Sequence, residues 1–454
     1  MGKRVLGVDL HLDVGTGRRA LEAALRDAVS SGRLPAGTKL PGSRSLAQDL
    51  GVARGTVVEA YAQLVAEGRL VSATGSGTRV ADTRPPGKPA PETPSRAGFD
   101  LRPGRPDLSL FPRALWAAGV RRTLAAASRE SMDYSDPAGL KGLREAVATY
   151  LARARGVRVD AGAVVVTSGF THGLAVLARA LRDTGVRTIG TEDPGLAHHR
   201  SVIHAAGLAT TPLAVDAEGA SLPGDAGAAL LTPAHQHPRG VVLSPGRRAA
   251  FLEWAREHDG IVVEDDYDGE FRYDQNPVGA LQAQAPDHVV FAGSTSKTLA
   301  PGLRIGWLVV PGRLRIPVLD AVAATGATVG TPAQLAIADL LDRGDYDRHV
   351  RRARQVYRKR RTELAARLAP LDGIPAGLHA LLPLASRQEE KRVIDAGLAA
   401  GLRLQGINAA GYWHSAGRPE SGLIIGYATP PQHAWGPALD ALAELLADAA
   451  IKPW

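Results

Sequence analysis

The sequence predicts a chain in two parts, a small N-terminal α+β unit and a large C-terminal α/β unit built on a mainly parallel sheet. Three observations carry that expectation. Over residues 1–80, three helical periodicities are followed by two short strand-like runs around a glycine-rich turn. Residues 81–98 hold five prolines, Pro85, Pro86, Pro89, Pro91 and Pro94, which block helix and sheet and favour a stiff extended spacer. From Phe99 to Trp454, short apolar runs alternate with helical patterns, the order expected of a parallel sheet with crossover helices. The expected boundaries are 1–80, 81–98 and 99–454, the last with a large part over 130–340 and a smaller one over 341–454.

The chain has 454 residues, enough for two or three domains and a large core. Hydrophobic residues make up 44% and charged residues 22%, a globular balance. The absence of cysteine excludes disulfides and thiolate metal ligation, and no metal site is expected. The start, Met1-Gly2-Lys3-Arg4, is interrupted by Asp9 and Asp13 and lacks the apolar core of a signal peptide. No run approaches the ~18 apolar residues of a membrane span, so a cytoplasmic protein without membrane contact is expected. The net charge is +8 and the pI about 9.8. Residues 1–80 hold eleven Lys/Arg against seven Asp/Glu, so half of the surplus lies in under a fifth of the chain and points to nucleic acid there.

In the N-terminal unit, Leu21, Ala24, Leu25, Ala28 and Val29 form an amphipathic stripe that Gly32 and Pro35-Ala36-Gly37 end. Ser43 is expected to cap a second helix running to Leu50, broken by Gly51. A third helix, about Arg54 to Glu67, carries Val57, Tyr61, Leu64 and Val65 on one face, and Gly68 closes it. Leu70-Val71-Ser72-Ala73 and Thr78-Arg79-Val80 flank Thr74-Gly75-Ser76-Gly77, a hairpin. Three helices and a hairpin in this order make a winged helix-turn-helix, whose third helix enters the major groove N-terminus first. Arg54 and Thr56 should then face the bases, and Arg44, Gly75, Gly77 and Thr78 the phosphates or the minor groove. The stretch Leu40-Pro41-Gly42-Ser43-Arg44-Ser45-Leu46-Ala47, with Gly51-Val52-Ala53-Arg54-Gly55-Thr56-Val57, resembles the DNA-binding domain of the GntR family. One departure is Ala53, where that family usually has a serine able to cap the recognition helix.

In the C-terminal unit, 163–167, 229–232, 261–265, 288–292 and 305–310 read as buried strands, with helices such as 173–182 and 247–258 between them. Ligands of such folds gather at the carboxyl ends of the strands, where the candidate chemistry falls. Ser168-Gly169-Phe170-Thr171 lies in a strand-to-helix turn whose backbone N–H groups suit a phosphate. Asp265 ends an apolar strand, where a carboxylate can pair with a protonated pyridine nitrogen, and Tyr267 can reach a ring hydroxyl. Lys297, in Gly293-Ser294-Thr295-Ser296-Lys297, is followed seven positions later by Arg304. Its amine can form a Schiff base with an aldehyde cofactor, while the hydroxyls and the guanidinium hold a phosphate. Turn, carboxylate, lysine and arginine in that order suit pyridoxal 5'-phosphate (PLP).

Together these stretches resemble the aminotransferase-like domain of fold-type I PLP proteins. Joined to a GntR-like module, they resemble the MocR family of bacterial transcription regulators. The resemblance extends over Leu101-Arg102-Pro103-Gly104-Arg105-Pro106, Tyr134-Ser135-Asp136-Pro137, Glu192-Asp193-Pro194-Gly195 and Thr232-Pro233-Ala234-His235-Gln236. It implies that Lys297 carries PLP as an internal aldimine, with Asp265 on the pyridine nitrogen and Tyr267 on the ring hydroxyl. Ser168, Gly169, Phe170, Ser294, Ser296 and Arg304 would form the phosphate cup, with His235 and Leu196 lining the site. It implies a head-to-tail homodimer in which Tyr134 reaches the partner's phosphate, and double-stranded promoter DNA as the other partner.

Two departures bear on function. Leu196 stands where fold-type I proteins often stack an aromatic on the cofactor. The late strand Leu423-Ile424-Ile425-Gly426-Tyr427-Ala428 lacks the arginine that usually grips an amino acid's carboxylate. The first expectation is therefore a PLP-responsive regulator with PLP itself as effector, controlling PLP-biosynthesis genes as in the PdxR branch of the family. The alternatives are a regulator that senses an amino compound through its PLP, and a working aminotransferase with an accessory DNA-binding domain. His198, His199, Arg200 and His237 are further candidates for the lining.

Overall fold

The computed structural model describes residues 17–73, 77–81, 98–134, 136–273, 279–368, 370–408, 411–414 and 420–448. Gly75 and nearly all of the proline-rich spacer lie outside these residues. The chain divides into two compact units, Met1–Ser95 and Arg96–Trp454.

The first unit holds α1 (Arg18–Ser30), α2 (Ser43–Leu50), α3 (Arg54–Ala66), β1 (Leu70–Ala73) and β2 (Gly77–Val80). Leu21, Leu25 and Ala28 of α1 meet Val57, Ala60 and Leu64 of α3, and Leu46 of α2 completes the core with Leu70 and Val80 of the hairpin. Arg26 pairs with Glu67 at 2.6 Å and Arg18 with Glu59 at 3.3 Å, tying α1 to the third helix and its end. The hairpin pairs Leu70 with Val80 and Ala73 with Gly77, so Gly77 belongs to the second strand rather than to the turn.

Neither α2 nor α3 starts with a side-chain cap. Ser43 does not cap α2: it is already the first helical residue, Gly42 is the N-cap, and no side chain bonds the free N–H groups. α3 likewise starts from Ala53 with no side-chain cap. Ala53 has an extended backbone (φ −63°, ψ 140°), the conformation from which a hydroxyl caps the first turn. Ala53→Ser should therefore stabilise this unit by about 1 kcal/mol, read as a higher denaturation midpoint of its transition in the full chain. An unchanged midpoint would mean that a solvated helix start already serves as well.

The second unit is built on β3 (Val164–Thr167), α4 (Phe170–Asp183), β4 (Thr188–Asp193), α5 (Ala197–Ala205), β5 (Ala209–Asp216), β6 (Gly219–Ala220), β7 (Ala228–Leu231), α6 (Pro245–Glu257), β8 (Ile261–Asp265), β9 (Val289–Ser294) and β10 (Gly306–Val309). The strands form one sheet in the order β3-β10-β9-β8-β7-β4-β5-β6. Strands β9, β8, β7, β4 and β5 run parallel, and β10 runs antiparallel to both neighbours. The expected strand 305–310 is thus real but reversed. Alternate residues go to opposite faces: Val165, Val263 and Leu308 pack with α4, while Val164, Val166, Phe291 and Trp307 face a second cluster. A smaller part follows, with the 24-residue helix α7 (Asp345–Leu368) and the antiparallel pair β11 (Ala380–Leu384) and β12 (Ser421–Ile425). No helix is long and apolar enough to cross a membrane, among the described residues.

Candidate cofactor pocket and nucleic-acid interface

The strand register brings the candidate residues to one sheet edge. Ala292 lies opposite Asp265, and Gly306 lies opposite both Ser294 and Thr167. Because β10 is antiparallel, its start falls on the edge where its neighbours end, so Arg304 meets the turn after β3. Glycine is required there: a Cβ on Gly306 would lie 2.9 Å from the Gly293 carbonyl oxygen and 3.1 Å from the Gly169 Cα.

At this edge lies a cavity of about 310 Å³, within the size range of small-molecule sites. Lys297, Asp265, Tyr267, Ser294, Ser296, Arg304, Phe170 and Leu196, all singled out in the sequence, line it. The Lys297 Nζ donates to the Gly104 carbonyl oxygen at 2.7 Å. Burial lowers its pKa, opposed by the charges of Asp265 and Asp268, which favours the neutral amine that attacks a carbonyl. Burial pushes the Asp265 carboxyl well up, with Lys297 the main force holding it down. A protonated ring nitrogen would supply the missing counter-charge. The loop after Asp265 is anchored by the buried pair of Arg155 and Asp266, with two contacts of 2.7 and 2.8 Å.

At the other end, Arg304 has a left-handed backbone (φ 53°, ψ 48°), a strained state for a residue with a Cβ. Its guanidinium lies against Gly169, where a Cβ would meet three of its atoms at 3.6 Å. Ser294 and Ser296 complete a polar, cationic end. A buried carboxyl, an amine and a cationic hydroxyl-lined end fit the ring nitrogen, aldehyde and phosphate of PLP.

Other expected residues are placed differently. The Ser168 backbone N–H donates to His172 Nδ1 at 3.1 Å and is not free for an anion. His235 is buried behind the pocket, its Nδ1 2.8 Å from Asp268 Oδ2 and 3.2 Å from the Tyr267 hydroxyl. It supports Tyr267, whose hydroxyl donates to the His235 carbonyl at 3.0 Å. Arg200 donates to the carbonyl oxygens of Gly195, Tyr412 and Gly411, a structural role. His198 is 3.4 Å from the Thr171 hydroxyl, outside the lining. Tyr134 is fully exposed.

His199 and His237 do line the pocket, joined by Leu378, His379, Gln405 and Tyr412, which no motif announced. Gln405 donates to the Tyr412 hydroxyl at 2.7 Å, and that hydroxyl lies 3.0 Å from His237 Nε2. Burial drives His199 and His237 down to about 3, and holds His379 well below its ordinary value. This wall is therefore uncharged at neutral pH.

A histidine depressed in this way contributes stability that is present above its unfolded pKa, about 6.5, and lost as pH falls toward its folded value. His237→Gln should accordingly flatten the acid side of the stability profile. Below about pH 6.5 the wild type should lose ~1.4 kcal/mol per pH unit more than the variant. Parallel profiles in denaturant titrations from pH 7 to 5 would show that His237 is not held neutral.

In the first unit, Arg54 and Arg44 are exposed and make no ion pair among the described residues. Arg54 opens α3 and Arg44 the start of α2, with Thr56 half-buried beside Arg54. Gly77 and Thr78 lie on the hairpin, and Lys39, which the sequence did not single out, packs 3.2 Å from a Cβ on Gly77. Arg54, Arg44 and Lys39 are thus each exposed, with Lys39 beside the hairpin.

Comparison with known proteins gives both units a family. Residues 18–80 match the bacterial regulatory proteins of the gntR family, and residues 100–389 match aminotransferase class I and II. The chain is 34% identical over 424 residues to the HTH-type pyridoxine biosynthesis transcriptional regulator PdxR of Corynebacterium glutamicum, covering 90% of this chain and 91% of that one. It is 32% identical over 460 residues to the probable rhizopine catabolism regulatory protein MocR of Rhizobium meliloti, covering 93% and 92%. Among solved structures, the kynurenine aminotransferase of Pyrococcus horikoshii aligns with a TM-score of 0.69 at 21% identity, covering 78% of this chain and 91% of that one. That likeness shows the fold of the larger unit, a fold-type I aminotransferase fold. The chain belongs to the MocR-type family of HTH transcriptional regulators, in which a gntR-family DNA-binding domain is joined to an aminotransferase-like domain.

Proposed function

We propose that PLP itself is the effector of this regulator, bound through Lys297, and that the genes it controls include those of PLP biosynthesis. PLP, when bound, supplies an aldehyde for the lysine amine and an electron-withdrawing ring. Asp265 would pair with the ring nitrogen, Tyr267 would bond the ring hydroxyl, and Leu196 would pack against the ring. Arg304, Ser294 and Ser296 would hold the phosphate with Phe170, Gly169 would permit its close approach, and Ser168 would contribute its hydroxyl. Tyr134 completes the cup of a partner protomer in a head-to-tail homodimer, which its full exposure supports.

One observation carries the choice of effector. Lys297 and Arg304 are the only cationic side chains lining the cavity among the described residues, and the cofactor uses both. The remaining wall of His199, His237, His379, Gln405 and Tyr412 is neutral, so an amino acid's carboxylate has no charge-assisted anchor. The PdxR relative, a pyridoxine biosynthesis regulator by name, supports the same choice. The test is to add amino acids in turn to the PLP-loaded protein and follow the visible spectrum and operator affinity. No change with any of them is expected; a saturable change in both with one amino acid would overturn the reading.

On the DNA side, Arg54→Ala should weaken operator binding by about 1–3 kcal/mol and relax discrimination against non-cognate duplex. Unchanged discrimination would remove Arg54 from the reading set.

A further inference from the structure

The most basic element of the chain lies outside the DNA-binding unit. Helix α7 carries nine Lys/Arg against three Asp/Glu, a surplus of six where the whole chain has +8. Between Arg348 and Thr362 it contains no acidic residue. The helix separates its charges by face. Inward, Tyr346, Val350, Ala353, Tyr357 and Leu364 are buried, and Arg360 bonds Asp107 at 2.7 Å. Outward, Arg348, Arg351, Arg352, Gln355, Arg358 and Lys359 are exposed. Arg348 pairs with Asp345, and Lys359 lies 3.8 Å from Glu363. The side chains of Arg351, Arg352 and Arg358 make no ion pair or hydrogen bond among the described residues.

Such a face is a cost to the fold. Like charges three and four residues apart repel by a few tenths of a kcal/mol per pair, and arginines in mid-helix gain little from the helix dipole. A polyanion reverses the sign of that energy. The face is extended, with Arg348 and Lys359 about 16 Å apart along the axis at 1.5 Å per residue. That geometry suits a repeating backbone charge rather than a small ligand. Over the same length a duplex presents roughly nine phosphates, at one charge per ~1.7 Å.

We propose that the exposed face of α7 is a second, sequence-independent DNA-binding surface, which contacts the phosphate backbone of duplex flanking the operator. DNA rather than an acidic protein is favoured because the same chain carries a DNA-reading unit, which holds duplex at high local concentration; the proposal rests on that reading. Arginine suits the role, since its fork pairs with phosphate in two hydrogen bonds.

The test uses the full-length, PLP-loaded protein and follows affinity for an operator duplex with long flanks against salt concentration. Replacing Arg351, Arg352 and Arg358 together by glutamine should lower the slope of log K against log salt by about 2–3, since each phosphate contact contributes ~0.9. The triple lysine variant, which keeps the charge, should retain most of the slope, and both variants should bind PLP as the wild type does. A duplex trimmed to the operator should be nearly indifferent to the glutamine variant. Equal slopes for wild type and glutamine variant on the long duplex would overturn the proposal, and would leave the face to another partner. Arg54→Ala separates the two readings. If it abolishes operator preference while the glutamine variant keeps the full slope, only the α7 proposal fails; if the wild type binds no duplex, both fail.

Discussion

Lys297→Ala is expected to abolish covalent retention of PLP and to weaken its binding about a hundredfold, ~2.7 kcal/mol. The amine donates to the Gly104 carbonyl and faces the same cavity as Asp265 and Arg304, so no other described lysine can take its place. Borohydride reduction followed by denaturation should leave cofactor attached to the wild type and none to the variant. Some non-covalent binding should survive, because Arg304, the two serines and Asp265 remain. Cofactor retained after reduction of the variant would move the attachment to a different amine and dismantle the assignment of the pocket.

The second large effect is on stability. Arg155→Ala should destabilise the larger unit by about 3–5 kcal/mol, the range for breaking one side of a buried ion pair. Arg155 and Asp266 expose only 6% and 3% of their side chains and share two hydrogen bonds. Burial pushes Asp266 up and Arg155 is the chief force holding it down, so without the arginine a bare carboxyl is left beside Asp265. The double variant Arg155→Met with Asp266→Asn should recover much of the loss, since it removes both charges. A loss below about 1 kcal/mol for the single variant would show that water or Arg248 compensates.

The parts of the fold written in local patterns were legible. The stripe Leu21, Leu25 and Ala28, the apolar run ending at Asp265, and the segment Gly293–Lys297 each carry their structure within a dozen residues. The reversal of β10 was not legible, because strand direction is set by pairing with β3 and β9 rather than by composition. Ser43 misled because a serine at a helix start can occupy the cap or the first turn, and Gly42 takes the cap. The Ser168 N–H is claimed by His172 one turn along α4, a contact the turn sequence does not reveal. The neutral wall was the least visible part. His379, Gln405 and Tyr412 belong to segments remote in sequence from Lys297 and bear no motif. One trace was present: Gly377, at φ +72°, admits no Cβ because His235 and Asp268 lie within 2.4 Å of where it would stand.

The measurement that tests the central claim most directly is a titration of the protein onto its operator duplex at fixed salt, with and without PLP, for the wild type and Lys297→Ala. A PLP-dependent shift in affinity for the wild type, absent in the variant, is the expected result. By linkage, DNA should then shift the affinity for PLP by the same factor. Operator affinity that is identical with and without PLP in the wild type would contradict the account.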